Sequence, residues 1–250
     1  MDSLNKDVLF NIATMLDLDN LLSFCNSDPR INRLICQREA IWLFKLMKEF
    51  PNYKEYINQR GRDAYELLVS LTKLKKGIKY EGTIYQLYKV TKLDLSGKGL
   101  KSVPPEIGKL SQLETLWLHY NQITILPPEI GKLSNLQKLY LHGNQITILP
   151  SEIGKLSQLR VLSLNNNQIE FLPPEIGNLS QLQILWLHTN QITILPPEIG
   201  NLSNLIYLYL YNNQISLPPE ISNLKKLRLL ELDIKVTIPS ELKHLPIRYN

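Results

Sequence analysis

Three of the four histidines, His119, His142 and His188, are separated by whole multiples of 23 residues, so they recur with a structural unit. An imidazole can move protons near neutral pH or ligate a metal, and His119 and His142, one unit apart, could form a metal pair on adjacent strands. No cysteine or carboxylate stands in the same columns of those units, so no metal is expected. A second periodic set, Glu106, Glu129, Glu152, Glu175, Glu198 and Glu220, could bind calcium or serve acid–base chemistry. Lysines intervene, and a step of about 5 Å between stacked strands suits a solvated edge better. Cys25 and Cys36 have no histidine nearby in sequence to complete a zinc site and are expected as two reduced, mostly buried thiols. The chain has no glycine-rich phosphate loop, no HExxH and no GxSxG. Neither catalytic residues nor a cofactor are expected, and the chain is read as a non-enzyme.

Charge narrows the partners. The 250 residues carry a net charge of +5, spread as 13 Lys and Arg against 11 Asp and Glu over residues 1–87 and 15 against 12 over the rest. The one dense basic cluster, Lys73, Lys75, Lys76 and Lys79, runs into Glu81 and reads as a solvated helix end, so no nucleic acid is expected. No apolar run reaches the roughly 18 residues of a membrane span. The acidic residues in MDSLNKDVLFNIATMLDLDN do not suit a secretory start, so an intracellular, membrane-free location is expected.

The elements that position these residues come from a 23-residue repeat. Units begin at Val90, Leu113, Leu136, Leu159, Leu182, Leu205 and Leu227, and five of them read LETLWLHYNQI, LQKLYLHGNQI, LRVLSLNNNQI, LQILWLHTNQI and LIYLYLYNNQI. The last interval is 22 because ISLPPE lacks one residue of ITILPPE. In each unit a short strand turns two leucines inward and the alternate residues outward. Asn121, Asn144, Asn167, Asn190 and Asn213 fall at the following bend, where an amide can pair with backbone groups that the turning chain leaves open. The second half, LPPEIGKLSNL, predicts a short helical or 3₁₀ turn, with Ile130 and Leu133 inward and Glu129 and Lys132 in water. One coil cannot bury its leucines alone; stacked coils can.

These units resemble the leucine-rich-repeat family, in its group with LPPEIG turns, over residues 88 to about 245. The resemblance implies an α/β solenoid, a horseshoe with a parallel concave sheet that binds a partner. Two outward columns distinguish this chain. One reads Asp94, Trp117, Tyr140, Ser163, Trp186, Tyr209, Glu231; the next reads Ser96, His119, His142, Asn165, His188, Tyr211, Asp233. Trp117, His119, Tyr140, His142, Trp186, His188, Tyr209 and Tyr211 are therefore the expected contacts for an unknown target protein, because large rigid side chains anchor interfaces. Cross-strand stacking that merely stiffens the sheet is the alternative.

Residues 1–87 carry no repeat and read as short helices, with Leu4, Val8, Leu9, Ile12, Met15 and Leu16 at helical spacing and a stop from Asp17 to Asn20. A further helix from Gly61 to Gly77 places Ala64, Leu67, Leu68, Leu71 and Leu74 on one face. Leu4, Asp7, Val8, Leu9, Ile12, Leu16, Asp19, Leu21, Leu22, Phe24, Cys25, Ile41 and Trp42 follow the order of an F-box. The arrangement resembles the F-box-like leucine-rich-repeat proteins encoded by large DNA viruses, which implies host cytoplasm as location. It also implies docking on a Skp-family adaptor of a cullin–RING ubiquitin ligase. Leu4, Val8, Leu9, Leu21, Leu22, Ile41 and Trp42 would divide between the domain's core and the adaptor contact.

The expected organisation is thus a small all-α F-box-like domain at 1–48, a helical connector and cap at 49–87 that packs on the solenoid, and about seven repeats at 88–250. Two functions fit: the substrate-recognition subunit of a ubiquitin ligase, or a plain binding scaffold whose N-terminal helices only cap the solenoid. A monomer is expected, with a homodimer through the aromatic face left open.

Overall fold

The computed structural model describes residues 9, 12–13, 15–27, 29–32, 36–37, 39–51 and 61–250, which fall into two compact units divided between Lys73 and Leu74. Leu4, Asp7 and Val8 lie outside the described residues, as do the side chains of Asp19 and Leu22.

The larger unit is the expected solenoid. Its strands, β1 (Lys92–Asp94), β2 (Thr115–Trp117), β3 (Lys138–Tyr140), β4 (Val161–Ser163), β5 (Ile184–Trp186), β6 (Tyr207–Tyr209), β7 (Leu229–Leu232) and β8 (Ile247–Tyr249), form one parallel sheet in chain order. The register is set by the repeat: Leu93, Leu116, Leu139, Leu162, Leu185, Leu208 and Leu230 pair in succession, and all are buried. The closing strand β8 pairs Ile247 with Leu230, only 17 residues on, so the segment HLPIRYN adds an eighth, shortened coil that the leucine spacing did not predict.

Each bend is closed by its asparagine. The Asn144 side-chain oxygen accepts from the Ile123 N–H at 3.0 Å, and its amide nitrogen donates to the carbonyls of Leu118 and Leu141, both at 2.9 Å. Asn121, Asn167, Asn190 and Asn213 repeat these three bonds, each tying one coil to the coil before it. Opposite the sheet, a 3₁₀ turn such as Pro128–Lys132 starts on a proline whose fixed φ suits it. Ile130 and Leu133 are buried and Lys132 is exposed, while Glu129 is half-buried. The glycine of the turn is there for close approach: a Cβ on Gly108 would stand 2.7 Å from the Glu129 carbonyl oxygen of the next coil.

In the smaller unit, helices α1 (Leu18–Ser27) and α2 (Glu39–Glu49) are followed by α3 (Gly61–Gly77), within which the boundary between the units falls. Asp17 caps α1, its carboxylate accepting from the Asn20 N–H at 2.9 Å. In the larger unit, helix α4 (Ile84–Tyr88) opens with a capping box of Thr83 and Gln86 and leads into β1. Buried Lys45 donates to the Leu16 carbonyl at 2.6 Å and pairs with Glu49 at 3.2 Å, and the Tyr65 hydroxyl donates to the same Glu49 carboxylate at 2.9 Å. Burial, and then that hydrogen bond, push the Tyr65 hydroxyl well above its usual pKa.

One expectation is overturned. Cys25 and Cys36 are not two free thiols but a disulfide, because the chain after α1 turns back and brings their Cα atoms to 5.8 Å. They are 11 positions apart, and the sequence offered no sign that the two would meet.

The asparagine bonds give a test. Asn144→Ala leaves the buried Ile123 N–H without its acceptor and takes one of two amide donors from each of the Leu118 and Leu141 carbonyls, and is expected to destabilise the protein by about 2 kcal/mol in urea unfolding. Gln122→Ala, at an exposed position one coil away, should change stability by no more than about 0.5 kcal/mol. Equal effects would remove the special role given to the bend.

Candidate protein-binding face

The outward side chains of β2 to β6, and those just beyond each strand, form two aromatic groups with a polar coil between them. In the first, Trp117 stacks on Tyr140 with ring centroids 6.1 Å apart, and His119 stacks on His142 at 4.5 Å. In the second, Trp186 packs on Tyr209 at 6.1 Å and His188 stacks on Tyr211 at 4.4 Å. All eight residues expected to contact a target thus lie on one sheet face, brought together by parallel register. All eight, Trp117 and Trp186 included, are half-buried. The rings cover one another's flanks, so cross-strand stacking accounts for part of their presence, and the remaining ring surface faces outward.

Between the groups, β4 presents Ser163, only 2% exposed, and Asn165. The Ser163 hydroxyl donates to Asn165 Oδ1 at 2.9 Å, and His142 Nδ1 lies 3.0 Å from the same hydroxyl. A hydroxyl has one proton to give, so His142 is the donor in that contact, with its proton on Nδ1. Burial, reinforced by His119, holds the His142 pKa below the usual histidine value. Burial, reinforced by His142, does the same to His188. Both rings are therefore neutral near pH 7, which makes them stacking and hydrogen-bonding groups in place of cations. Among the described residues no group of three His, Cys, Asp or Glu side chains could hold a metal.

Acidic groups bound the face. Asp94 stands at the β1 end, its carboxyl held below the usual range by hydrogen bonds from the Ser96 hydroxyl and N–H. At the other end Glu231 is buried with Arg248 3.8 Å away, and Asp233 follows. Tyr120 belongs to the first group although the strand pattern did not include it. Its ring lies edge-on to His119 and His142, at 5.3 and 5.1 Å, and is largely exposed. Room for it comes from Gly143, where a Cβ would stand 2.6 Å from the Tyr120 ring. The signal was the change from HYN to HGN between neighbouring units: a ring in one needs a glycine in the next.

The residues implied by the F-box resemblance fall differently. Leu9, Leu21, Ile41 and Trp42 are buried in the helical unit, and the Trp42 indole donates to the Cys36 carbonyl at 2.8 Å, so these four serve its core. Ile12, Met15, Phe44 and Met47 are the large apolar side chains that this unit exposes among its described residues, Met15 most, at 82%.

A family model described as a leucine-rich repeat region matches residues 69–158 and 147–246. The chain belongs to the leucine-rich-repeat family. Two solved leucine-rich-repeat structures resemble it. One is the plant peptide hormone receptor RGFR1 in complex with RGF2, at 37% identity and a TM-score of 0.56, over 65% of this chain and 28% of that one. The other is PEPR1-AtPEP1, at 32% identity and a TM-score of 0.54, over 64% of this chain and 28% of that one. The chain thus spans a little over a quarter of the length of each. No curated protein sequence matches it.

The depressed histidines predict a pH dependence. Their folded pKa values lie below that of the unfolded chain, so the unfolded state takes up protons first as pH falls through about 6.5. Stability should be fully present above that value and decline below it, down to the folded pKa values. Urea midpoints at pH 7.5 and 5.5 read this, and His142→Gln with His188→Gln should flatten the difference; an unchanged slope in that double variant would assign it to other groups.

Proposed function

We propose that this leucine-rich-repeat protein is an interaction adaptor with no chemistry of its own, whose sheet face holds an extended segment of a target protein. The observation that carries this reading is the split aromatic face: two stacked groups three strands apart, separated by the low polar step of Ser163 and Asn165. Such a surface offers two apolar anchor points with hydrogen-bonding groups between them. The likeness to a receptor described with a peptide hormone supports an extended ligand over a flat protein surface. Panning a random peptide library on the intact protein tests it. Selected peptides should lose at least about tenfold in affinity, about 1.4 kcal/mol, for Tyr140→Ala with Trp186→Ala. Peptides indifferent to that pair would move the site off this face.

The helical unit gives the finer reading: an F-box-like part that docks on a Skp-family adaptor, making the chain the substrate-recognition subunit of a cullin–RING ubiquitin ligase. Its exposed Ile12, Met15, Phe44 and Met47 support this, because apolar side chains in water on so small a unit suit a partner. Such a protein, as in the large DNA viruses, would act in cytoplasm, where glutathione opens disulfides; the sheet face contains no cysteine. A pull-down with purified Skp-family adaptor decides the point. Capture lost on Met15→Asp with Met47→Asp, both at exposed positions, supports docking. No capture by the intact chain at micromolar concentration leaves the scaffold reading, with the helices as a cap.

A further inference from the structure

Down one flank of the solenoid, past the bend asparagines, stands a column of large apolar side chains turned to water: Ile125, Ile148, Phe171 and Ile194, each 60–68% exposed. They recur every 23 residues, and parallel backbone bridges join Ile125 to Ile148 and Ile194 to Ser216, so they stack at about 5 Å steps. Ser102 precedes the column at the same spacing and Ser216 ends it, which limits the stripe to four coils. Thr124, Thr147 and Thr193 lie beside it with the glutamines from Gln122 to Gln191; all are exposed, and Glu170 is the one charge in these rows. Phe171, Gln191, Thr193 and Ser216 line one shallow cavity of about 1060 Å³, closed at its far side by Asp233 and Lys235, which puts the columns on a common surface.

We propose that this flank is the interface of a two-fold dimer of the chain. Over these four coils the surface carries one charge, with Lys101 before them and Asp233 and Lys235 beyond, so it offers little for a charged partner to pair with but can meet itself without repulsion. A two-fold axis between the third and fourth coils sets Ile125 against Ile194 of the second copy and Ile148 against Phe171. It sets Glu170 against Thr147, so the one acidic group does not face its own copy. A slip by one coil would oppose isoleucine to serine, so Ser102 and Ser216 fix the register, and a two-fold contact closes on itself as a dimer. The stripe exposes on the order of 400 Å² of apolar surface, at the upper end of what monomers tolerate. With the glutamine and threonine rows each copy offers on the order of 800 Å², the size of a standard interface. Both aromatic sheet faces stay open, so the dimer presents two of them to a target.

Sedimentation of the intact chain from about 1 to about 100 µM tests this. The mass should rise from 28.9 kDa toward twice that value. Ile148→Lys and Phe171→Glu, both at exposed positions and checked for unchanged melting, should each hold the protein at the monomer mass. Combined in one chain they place opposite charges across the axis, and the dimer should return. A wild-type mass that stays at 28.9 kDa throughout overturns the proposal, as does a dimer that both single variants keep or one that Trp186→Asp on the sheet face dissociates.

Discussion

A bend that must be made every 23 residues, inside a solenoid that leaves no water there, governs this molecule. Turning the chain out of a strand strands one N–H and one carbonyl per coil in apolar surroundings, and each would cost about 1–3 kcal/mol if left open. Each asparagine amide makes three such bonds, with one acceptor and two donors at 2.8–3.0 Å in Asn121, Asn144 and Asn167, so that the Leu118 carbonyl takes one donor from Asn121 and another from Asn144. Because two of the three partners belong to the preceding coil, the amide also locks the rise from coil to coil. Parallel register, the buried leucine stack and the glycine contacts on the opposite side follow from that fixed rise.

A backbone so determined leaves the outward positions of the sheet free of structural duty, and that freedom is where function is written. Trp117 stacked over Tyr140 and Trp186 tilted against Tyr209 use the fixed strand spacing to pack, which orders the rings before any ligand arrives. Ordered rings lose little entropy on binding, so their remaining surface is worth more to a partner than the same rings on a loop. The bend imposes its own cost on this face. Tyr120 and Thr189 adopt left-handed backbone at φ of 54° and 57°, where Gly97 and Gly143 sit in other coils. Accepting that conformation at Tyr120 lets a ring cover the edge of the His119–His142 pair.

The solenoid was legible in the sequence because its constraints are periodic. A column of asparagines or leucines can be read without knowing the fold, and the eight aromatic and imidazole residues were found by counting along the same period. What escaped was aperiodic or relational. The disulfide depends on how the chain folds back between Cys25 and Cys36, and β8 on a coil too short to carry the pattern. Half-burial of Trp117 and Trp186 depends on rings in neighbouring coils touching, which a column read one residue at a time does not express. In the helical unit the F-box pattern picked out Leu9, Leu21, Ile41 and Trp42, and apolar residues chosen by such a pattern are those that the core requires first. The exposed Met15 and Met47 lie outside the adaptor residues drawn from that pattern.

Ser163 and Asn165 show why an interruption can carry as much information as the repeat. Every neighbouring strand from β2 to β6 places an aromatic or imidazole in these columns, and β4 alone places a hydroxyl and an amide. Stability does not ask for this, since a fifth ring would stack on Tyr140 and Trp186 at the same spacing. The small residues instead open a low step whose hydrogen bonds are partly committed, Ser163 to Asn165 and His142 to Ser163. Asn165 keeps its amide protons for another acceptor. A backbone carbonyl crossing the step between two apolar anchors would find a donor there, which a continuous aromatic ladder could not offer. On the proposed reading, the gap would let this surface distinguish an extended chain from any other apolar object.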